Sequence, residues 1–161
     1  MRSAAAMAPQ TWRAQLAVIV GGAAWLLMLI ALATHSAADP AFTTSGAGAA
    51  LHNRAGLAGA WFSDLALFMF GYSAWWMLVI GLRAWLGALA RLLRSAPEGA
   101  ESPAAAQAGG RWPFWIGVAL LMAASCALEW TRLYQWEGRL PGHAGGVVGL
   151  VLGQASMKLL G

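Results

Sequence analysis

Residues 16–33 read LAVIVGGAAWLLMLIALA, eighteen consecutive residues without a charge. Two further uncharged apolar runs cover residues 65–82 and 112–128. Each run is close to the ~20 residues that a helix needs to cross a hydrocarbon core of about 30 Å. None of them alternates like the strand of a membrane barrel, and a helix satisfies its own backbone in lipid. The three runs therefore predict three transmembrane helices.

The composition supports this interpretation. Of the 161 residues, 60% are apolar and only 10% are charged, whereas a soluble domain has about 25% charged residues. The net charge of +4 comes mainly from arginines that flank the apolar runs, which favours lipid headgroups over nucleic acid as their partner. The single cysteine, Cys126, excludes an intrachain disulfide.

We predict one all-α integral membrane domain over residues 1–161, with three full transmembrane helices and a short Gly-rich C-terminal helix or re-entrant segment. Tryptophans cluster at the run ends, Trp85 among them, which is typical of side chains at headgroup depth. The predicted parts are spans at about 14–34, 62–86 and 112–129, an outer loop at 35–60, a cytoplasmic linker at 87–111 and the Gly-rich segment at 145–160.

The arginines predict the orientation. Six lie in the N-terminal tail and between the second and third runs, against three on the other side, which places the N-terminus in the cytoplasm. The alternative is a signal peptide cleaved after the A-x-A site at residues 31–33, but the apolar run is longer than a signal core.

The Gly-rich segment, GGVVGLVLGQASMKLL, is short for a span. Gly145, Gly149 and Gly153 recur every four residues, so they share one helix face and allow close backbone approach. This pattern predicts either a packing face or a re-entrant half-helix. The chain ends at Gly161 without a flanking charge cluster, and from this we expect a fragment of a longer protein.

The sequence contains no motif for catalysis. The only lysine, Lys158, follows no glycine loop, and there is no H-E-x-x-H, C-x-x-C or G-x-S-x-G. The three histidines lie in loops or at run ends, which favours solvated histidines over haem ligands. Asp64 is the one acid that approaches a span. We interpret it as a structural residue that caps the N-terminus of a helix. The alternative is a role in proton handling.

Two stretches resemble a known family, the four-helix membrane region of FtsK/SpoIIIE-type DNA translocases. They are SAADPAFTTSG (36–46) and HNRAGLAGAWFSDLALFMFGYSAW (52–75), with a shorter match at GGVVGLVLG (145–153). In that family an Asp-Pro loop, an Asn with a Gly-rich turn, Gly-Ala-Trp, an Asp and Phe-Gly follow one another in this order. The positions that correspond here, with the Gly-rich segment, are Asp39, Pro40, Asn53, Gly56, Gly59, Trp61, Asp64, Gly71, Gly145, Gly146 and Gly149.

The resemblance implies a membrane anchor and protein-interaction module of a translocase that couples cell division to chromosome segregation. It implies a place in the bacterial inner membrane at the division septum, with self-association and divisome membrane proteins as partners. The family's motor uses ATP and magnesium and contacts DNA. Its motifs are absent from this sequence, so we expect no enzyme activity, no cofactor and no direct DNA contact from this chain.

Two other function classes remain. A small transporter or channel subunit would use Asp64 and the Gly-rich half-helix as a pathway, and a membrane enzyme lacks a nucleophile, base or metal set. The polar loop, rich in Gly, Ser and Thr, is typical of a contact surface.

Overall fold

The computed structural model describes residues 9–46, 50–94 and 111–160. The N-terminal tail with Arg2 and most of the predicted linker, residues 95–110, lie outside this part of the chain. Within it there are only helices and turns, as predicted for an all-α fold. The helices are α1 (Pro9–Ala33), α2 (Gly56–Phe70), α3 (Trp76–Leu93), α4 (Arg111–Arg132) and α5 (Gly146–Leu160), with 3₁₀ turns at Gly71–Trp75 and Tyr134–Arg139.

Three segments of the described chain are long and apolar enough to cross a membrane: Trp12–Ala33, Gly56–Leu93 and Trp112–Arg132. A shorter apolar helix follows at Gly146–Leu159. This confirms the predicted fold class of three spanning helices and a short C-terminal helix. At a rise of about 1.5 Å per residue, the 15 residues of α5 measure about 22 Å.

The second segment is not one straight helix. Its 38 residues would measure about 57 Å as a single helix, far more than a hydrocarbon core of about 30 Å. The helix breaks at Gly71, whose φ of 58° and ψ of −144° end α2 before the 3₁₀ turn and α3. The predicted span at 62–86 contains this break, which the uninterrupted hydropathy of the run conceals.

Two tryptophans fasten α1 to α3 in opposite directions. Trp25 of α1 donates its indole N–H to the carbonyl of Leu78 at 2.8 Å, and Trp85 of α3 donates to the carbonyl of Val18 at 2.8 Å. A Cβ on Gly22 would lie 2.9 Å from the Trp85 indole nitrogen, so the small residue makes room for the ring. Trp85, which the sequence assigned to an interfacial belt, is thus a helix-to-helix contact.

The glycine stripe of the C-terminal segment lies against α4. A Cβ on Gly149 would lie 2.5 Å from the carbonyl oxygen of Cys126, and one on Gly153 would overlap the ring of Trp130. Gly145 is equally close to Cys126. The backbones of α4 and α5 therefore approach at a distance that only glycine permits, which is the usual way for small residues to bring membrane helices together.

We expect Gly149→Ala to destabilise the protein by about 1–3 kcal/mol, because the added methyl group forces α5 away from α4. Denaturant unfolding in mixed micelles measures this loss. Gly117→Ala is the matched control, since a Cβ there meets no atom within 4 Å, and it should leave stability unchanged or slightly higher. Wild-type stability of Gly149→Ala would contradict the close packing.

Candidate functional site

The loop between α1 and α2 is folded around the buried side chain of Asp39. One carboxylate oxygen accepts the backbone N–H of His52 at 2.7 Å, and the other accepts that of Asn53 at 2.8 Å. The His52 ring nitrogen Nδ1 lies 3.0 Å from the first oxygen. Burial opposes ionisation of Asp39, but the hydrogen bonds from His52 and Asn53 outweigh it and hold the pKa of this carboxyl below its usual range.

Asn53 joins the end of α1 to the start of α2. Its side-chain N–H donates to the carbonyl of Ala31 at 2.9 Å, and its side-chain oxygen accepts the N–H of Ala55 at 3.0 Å. The first bond satisfies one of the carbonyls that a helix leaves unpaired at its C-terminus. Asn53 is buried, so its side chain holds both helices while its backbone is held by Asp39.

Asp64 fixes the other half of the loop. Its two oxygens accept the backbone N–H and the hydroxyl of Thr43, at 2.7 and 2.9 Å. The predicted N-capping role is wrong, because α2 begins at Gly56, two turns earlier, and its first residue has no side-chain cap. Asp64 is fully buried and reaches across to the loop instead of back to its own helix.

The other positions of the resemblance in this region are Pro40 in the loop and Gly56, Gly59 and Trp61 in α2. Gly56 starts α2 with a φ of 74°, a left-handed conformation that side chains other than glycine's rarely adopt. A Cβ on Gly59 would lie 2.7 Å from the Asn53 side-chain oxygen. Pro40 is half-buried next to Gly46. Trp61 is exposed, and its ring centroid lies 6.4 Å from that of Phe42 in an edge-on arrangement.

A second polar cluster, around Glu129, was missed by the sequence analysis. This buried carboxylate of α4 accepts the backbone N–H of Tyr72 at 2.8 Å and that of Gly145 at 3.1 Å, and also the hydroxyl of Ser73. A Cβ on Gly71 would lie 2.7 Å from a Glu129 oxygen. Glu129 follows the third apolar run directly, where an acid reads as an ordinary flanking charge.

Two glycines of the resemblance, Gly71 and Gly145, lie directly beside Glu129. A Cβ on Gly71 would also lie 2.5 Å from the Gly145 nitrogen, and one on Gly146 would overlap the backbone of Met69. The break after α2, the end of α4 and the start of α5 meet at this point. Two partners of Glu129 are the backbone N–H groups of Tyr72 and Gly145, which are far apart in the chain. No sequence motif indicates that these groups meet.

A cleft of about 340 Å³ opens beside this cluster between the 3₁₀ turn and α4. Ser73, Ser125, Glu129 and Arg132 form its polar part, and tyrosine, tryptophan and leucine side chains form the rest. Within the described ranges, no three His, Cys, Asp or Glu side chains are grouped so that they could hold a metal ion. Both buried clusters use their carboxylates to bind backbone, so they are suited to holding the chain in place.

Comparisons with known proteins identify the family of the chain. Residues 11–161 match the family model described as the 4TM region of DNA translocase FtsK/SpoIIIE. The chain belongs to this family. It is 32% identical over 151 residues to DNA translocase FtsK 2 of Ralstonia nicotianae, and 32% identical over 164 residues to DNA translocase FtsK of Pseudomonas syringae pv. syringae. No solved structure matches the chain.

Membership in the FtsK/SpoIIIE membrane-region family covers nearly the whole chain but a small part of its relatives. The alignments cover 89% and 92% of this chain, and 19% and 18% of the two relatives. The chain thus corresponds to the membrane region of a DNA translocase and does not cover the motor part. The transporter or channel alternative is not favoured by these matches.

His35, at the start of the loop between α1 and α2, is not the solvated histidine that the sequence predicted. Its Nδ1 is 3.2 Å from the hydroxyl of Ser63, and its Nε2 is buried without a hydrogen-bond partner. Burial lowers the pKa of His35 from its ordinary 6.5, although the carboxylates of Asp64 and Asp39 oppose the shift. Protonation would place a buried N–H donor where no acceptor lies.

We expect the folded protein to lose stability as the pH falls below about 6.5, because the unfolded chain protonates His35 first when its folded pKa is the lower one. Melting temperatures in micelles between pH 7.5 and 5.5 should fall less steeply for His35→Gln than for the wild type. His143→Gln, at an exposed histidine outside this loop, should keep the wild-type slope. An unchanged slope in His35→Gln would contradict the role of its buried Nε2.

Proposed function

We propose that the chain is the membrane anchor and a protein-interaction module of a DNA translocase that couples cell division to chromosome segregation at the septum. One observation carries the proposal: the positions of the loop and of α2 that resemble the FtsK/SpoIIIE family are those that hold the loop in its fold. Asp39, Asn53 and Asp64 are all buried, and each binds a segment distant in sequence. A loop fixed in this way offers its exposed side chains to a partner in one conformation, which lowers the entropy cost of binding.

The exposed part of the loop has the composition of a contact surface. Leu51, His52 and Arg54 are exposed on the loop and combine apolar, ring and cationic groups. Divisome membrane proteins and further copies of the chain are the partners that we propose for it. The bilayer itself is the partner of the spanning helices.

The proposed topology places the N-terminus in the cytoplasm of a bacterial inner-membrane protein. Its support is the arginine distribution, with Arg83, Arg91 and Arg94 at the far end of the second segment and only Arg54 in the loop. In this orientation the loop between α1 and α2 faces outward. The motor, with its ATP, magnesium and DNA, belongs to the relatives' remaining length, so the chain acts without catalysis.

A localisation experiment tests the proposal. Residues 1–161 with a fluorescent protein at the N-terminus, expressed in a Pseudomonas syringae host, should be enriched at midcell in dividing cells. Asp64→Asn should reduce this enrichment at equal membrane abundance, because an amide cannot accept both hydrogen bonds of Thr43 and the loop loosens. Glu137→Gln, a more exposed acid outside the loop, is the matched control and should localise as the wild type does.

Intact wild-type fusion spread evenly around the envelope would overturn the septal role. If the Asp64→Asn fusion were enriched at midcell as strongly as the wild type, the fold of the loop between α1 and α2 would not be what directs the chain to the septum.

A further inference from the structure

The polarity of α2 is inverted relative to a helix in water. Its exposed face carries Leu57, Trp61 and Leu65, which are 53%, 48% and 44% exposed, together with Phe62. Its buried face carries Ser63 and the carboxylate of Asp64. A helix in an aqueous loop buries its apolar stripe and exposes its charge, and α2 does the reverse.

The exposed apolar face of α2 carries no charged side chain. Asp64 is the one ionisable residue in the sequence of α2, GLAGAWFSDLALFMF, and it points inward to Thr43. Large apolar side chains one turn apart form a continuous stripe, and leaving such a surface in water costs roughly 25 cal/mol for each Å². A contiguous exposed patch of this kind marks a surface that meets an apolar medium.

Contacts with α1 place α2 beside the C-terminal end of that helix. A Cβ on Gly59 would lie 3.3 Å from the Cβ of Ala31, two residues before α1 ends at Ala33, while Trp25 binds Leu78. The two contact points on α1, Trp25 and Ala31, are separated by a rise of about 9 Å. Their partners, Leu78 and Gly59, would be about 28 Å apart if α2 and α3 formed one straight helix. Because both contacts are made, α2 runs across the end of α1 instead of extending α3.

The loop adds an aromatic to the same surface. Phe42 lies with its ring centroid 6.4 Å from that of Trp61 and 5.7 Å from that of Phe68. Tryptophan and phenylalanine at the end of a span are typical of the boundary between headgroups and hydrocarbon. Ile30, near the end of α1, is also an exposed apolar side chain.

We infer that the lipid face of α2, defined as Leu57, Ala58, Trp61, Phe62 and Leu65 with Phe42 of the loop, lies in the bilayer at the headgroup–hydrocarbon boundary. The occupant is lipid, because the indole N–H of Trp61 is the one hydrogen-bonding side-chain group on this face, whereas a specific protein interface forms about one hydrogen bond per 100–200 Å². The loop of residues 34–55 is then seated on the membrane surface, with Asp39 and Asp64 turned away from the lipid. This inference is independent of the septal role proposed above.

Site-directed spin labelling tests it. The single cysteine is first replaced, as Cys126→Ser or Cys126→Ala, whichever keeps the wild-type helical circular dichroism. Nitroxides are then attached to cysteines at Leu57, Trp61 or Leu65 of the purified chain in phosphatidylethanolamine–phosphatidylglycerol vesicles. Collision rates with oxygen, which concentrates in lipid, and with a water-soluble nickel chelate are compared for each position. Arg54→Cys and Ala38→Cys, at exposed loop positions, are the matched controls.

Lipid contact predicts that oxygen collisions exceed nickel collisions at 57, 61 and 65, and that the order reverses at 38 and 54. Excess nickel collisions on the α2 stripe would overturn the inference, because the stripe would then face water. Protection from both reagents, with strongly immobilised spectra, would also overturn it, because the stripe would then pack against another copy of the chain. Leu57 and Leu65 are both exposed, so either position reports alone if the other substitution prevents insertion.

Discussion

Burying a carboxyl group next to a lipid bilayer is costly unless hydrogen-bond donors surround it, and this constraint organises the described part of the chain. Asp39, Asp64 and Glu129 are all buried, and each accepts backbone N–H groups from segments far away in sequence. Each acid therefore joins distant parts of the chain, because removing either side leaves a buried group without its partner. The apolar helices form the surroundings in which these groups are buried. The hydrogen bonds of the three acids determine how the connections between the helices are folded.

Hydropathy was sufficient for the fold class but not for the path of the chain. Uncharged runs predict spanning helices because lipid accepts only satisfied backbone, and that argument holds for α1, α4 and the second segment. The turn at Gly71 escaped it, since a change of direction inside an apolar run leaves the mean hydropathy unchanged. Trp85 escaped it for a related reason: an indole at a run end can point to headgroups or to a neighbouring carbonyl, and only the packing decides.

The residues of the candidate site were found unequally. Asp39, Asn53 and Asp64 stood out because polar residues of a short loop resembled a family pattern, yet the N-cap interpretation of Asp64 was wrong because its partner, Thr43, lies 21 residues earlier. Glu129 was missed altogether, since its acceptor role depends on backbone N–H groups 57 and 16 residues away. Asp39 also binds backbone N–H groups and was found because the family pattern includes it, whereas no pattern in the sequence marked Glu129.

The central claim is that buried carboxylates hold the loop between α1 and α2 in one conformation, and amide hydrogen exchange of the wild-type protein in micelles tests it most directly. The account predicts that the backbone N–H groups of Thr43, His52 and Asn53 exchange much more slowly than expected for an open loop, although no helix contains them. Exchange of these three amides at the rate of an unstructured peptide would contradict the account, because the loop would then be open and its carboxylates would bind nothing.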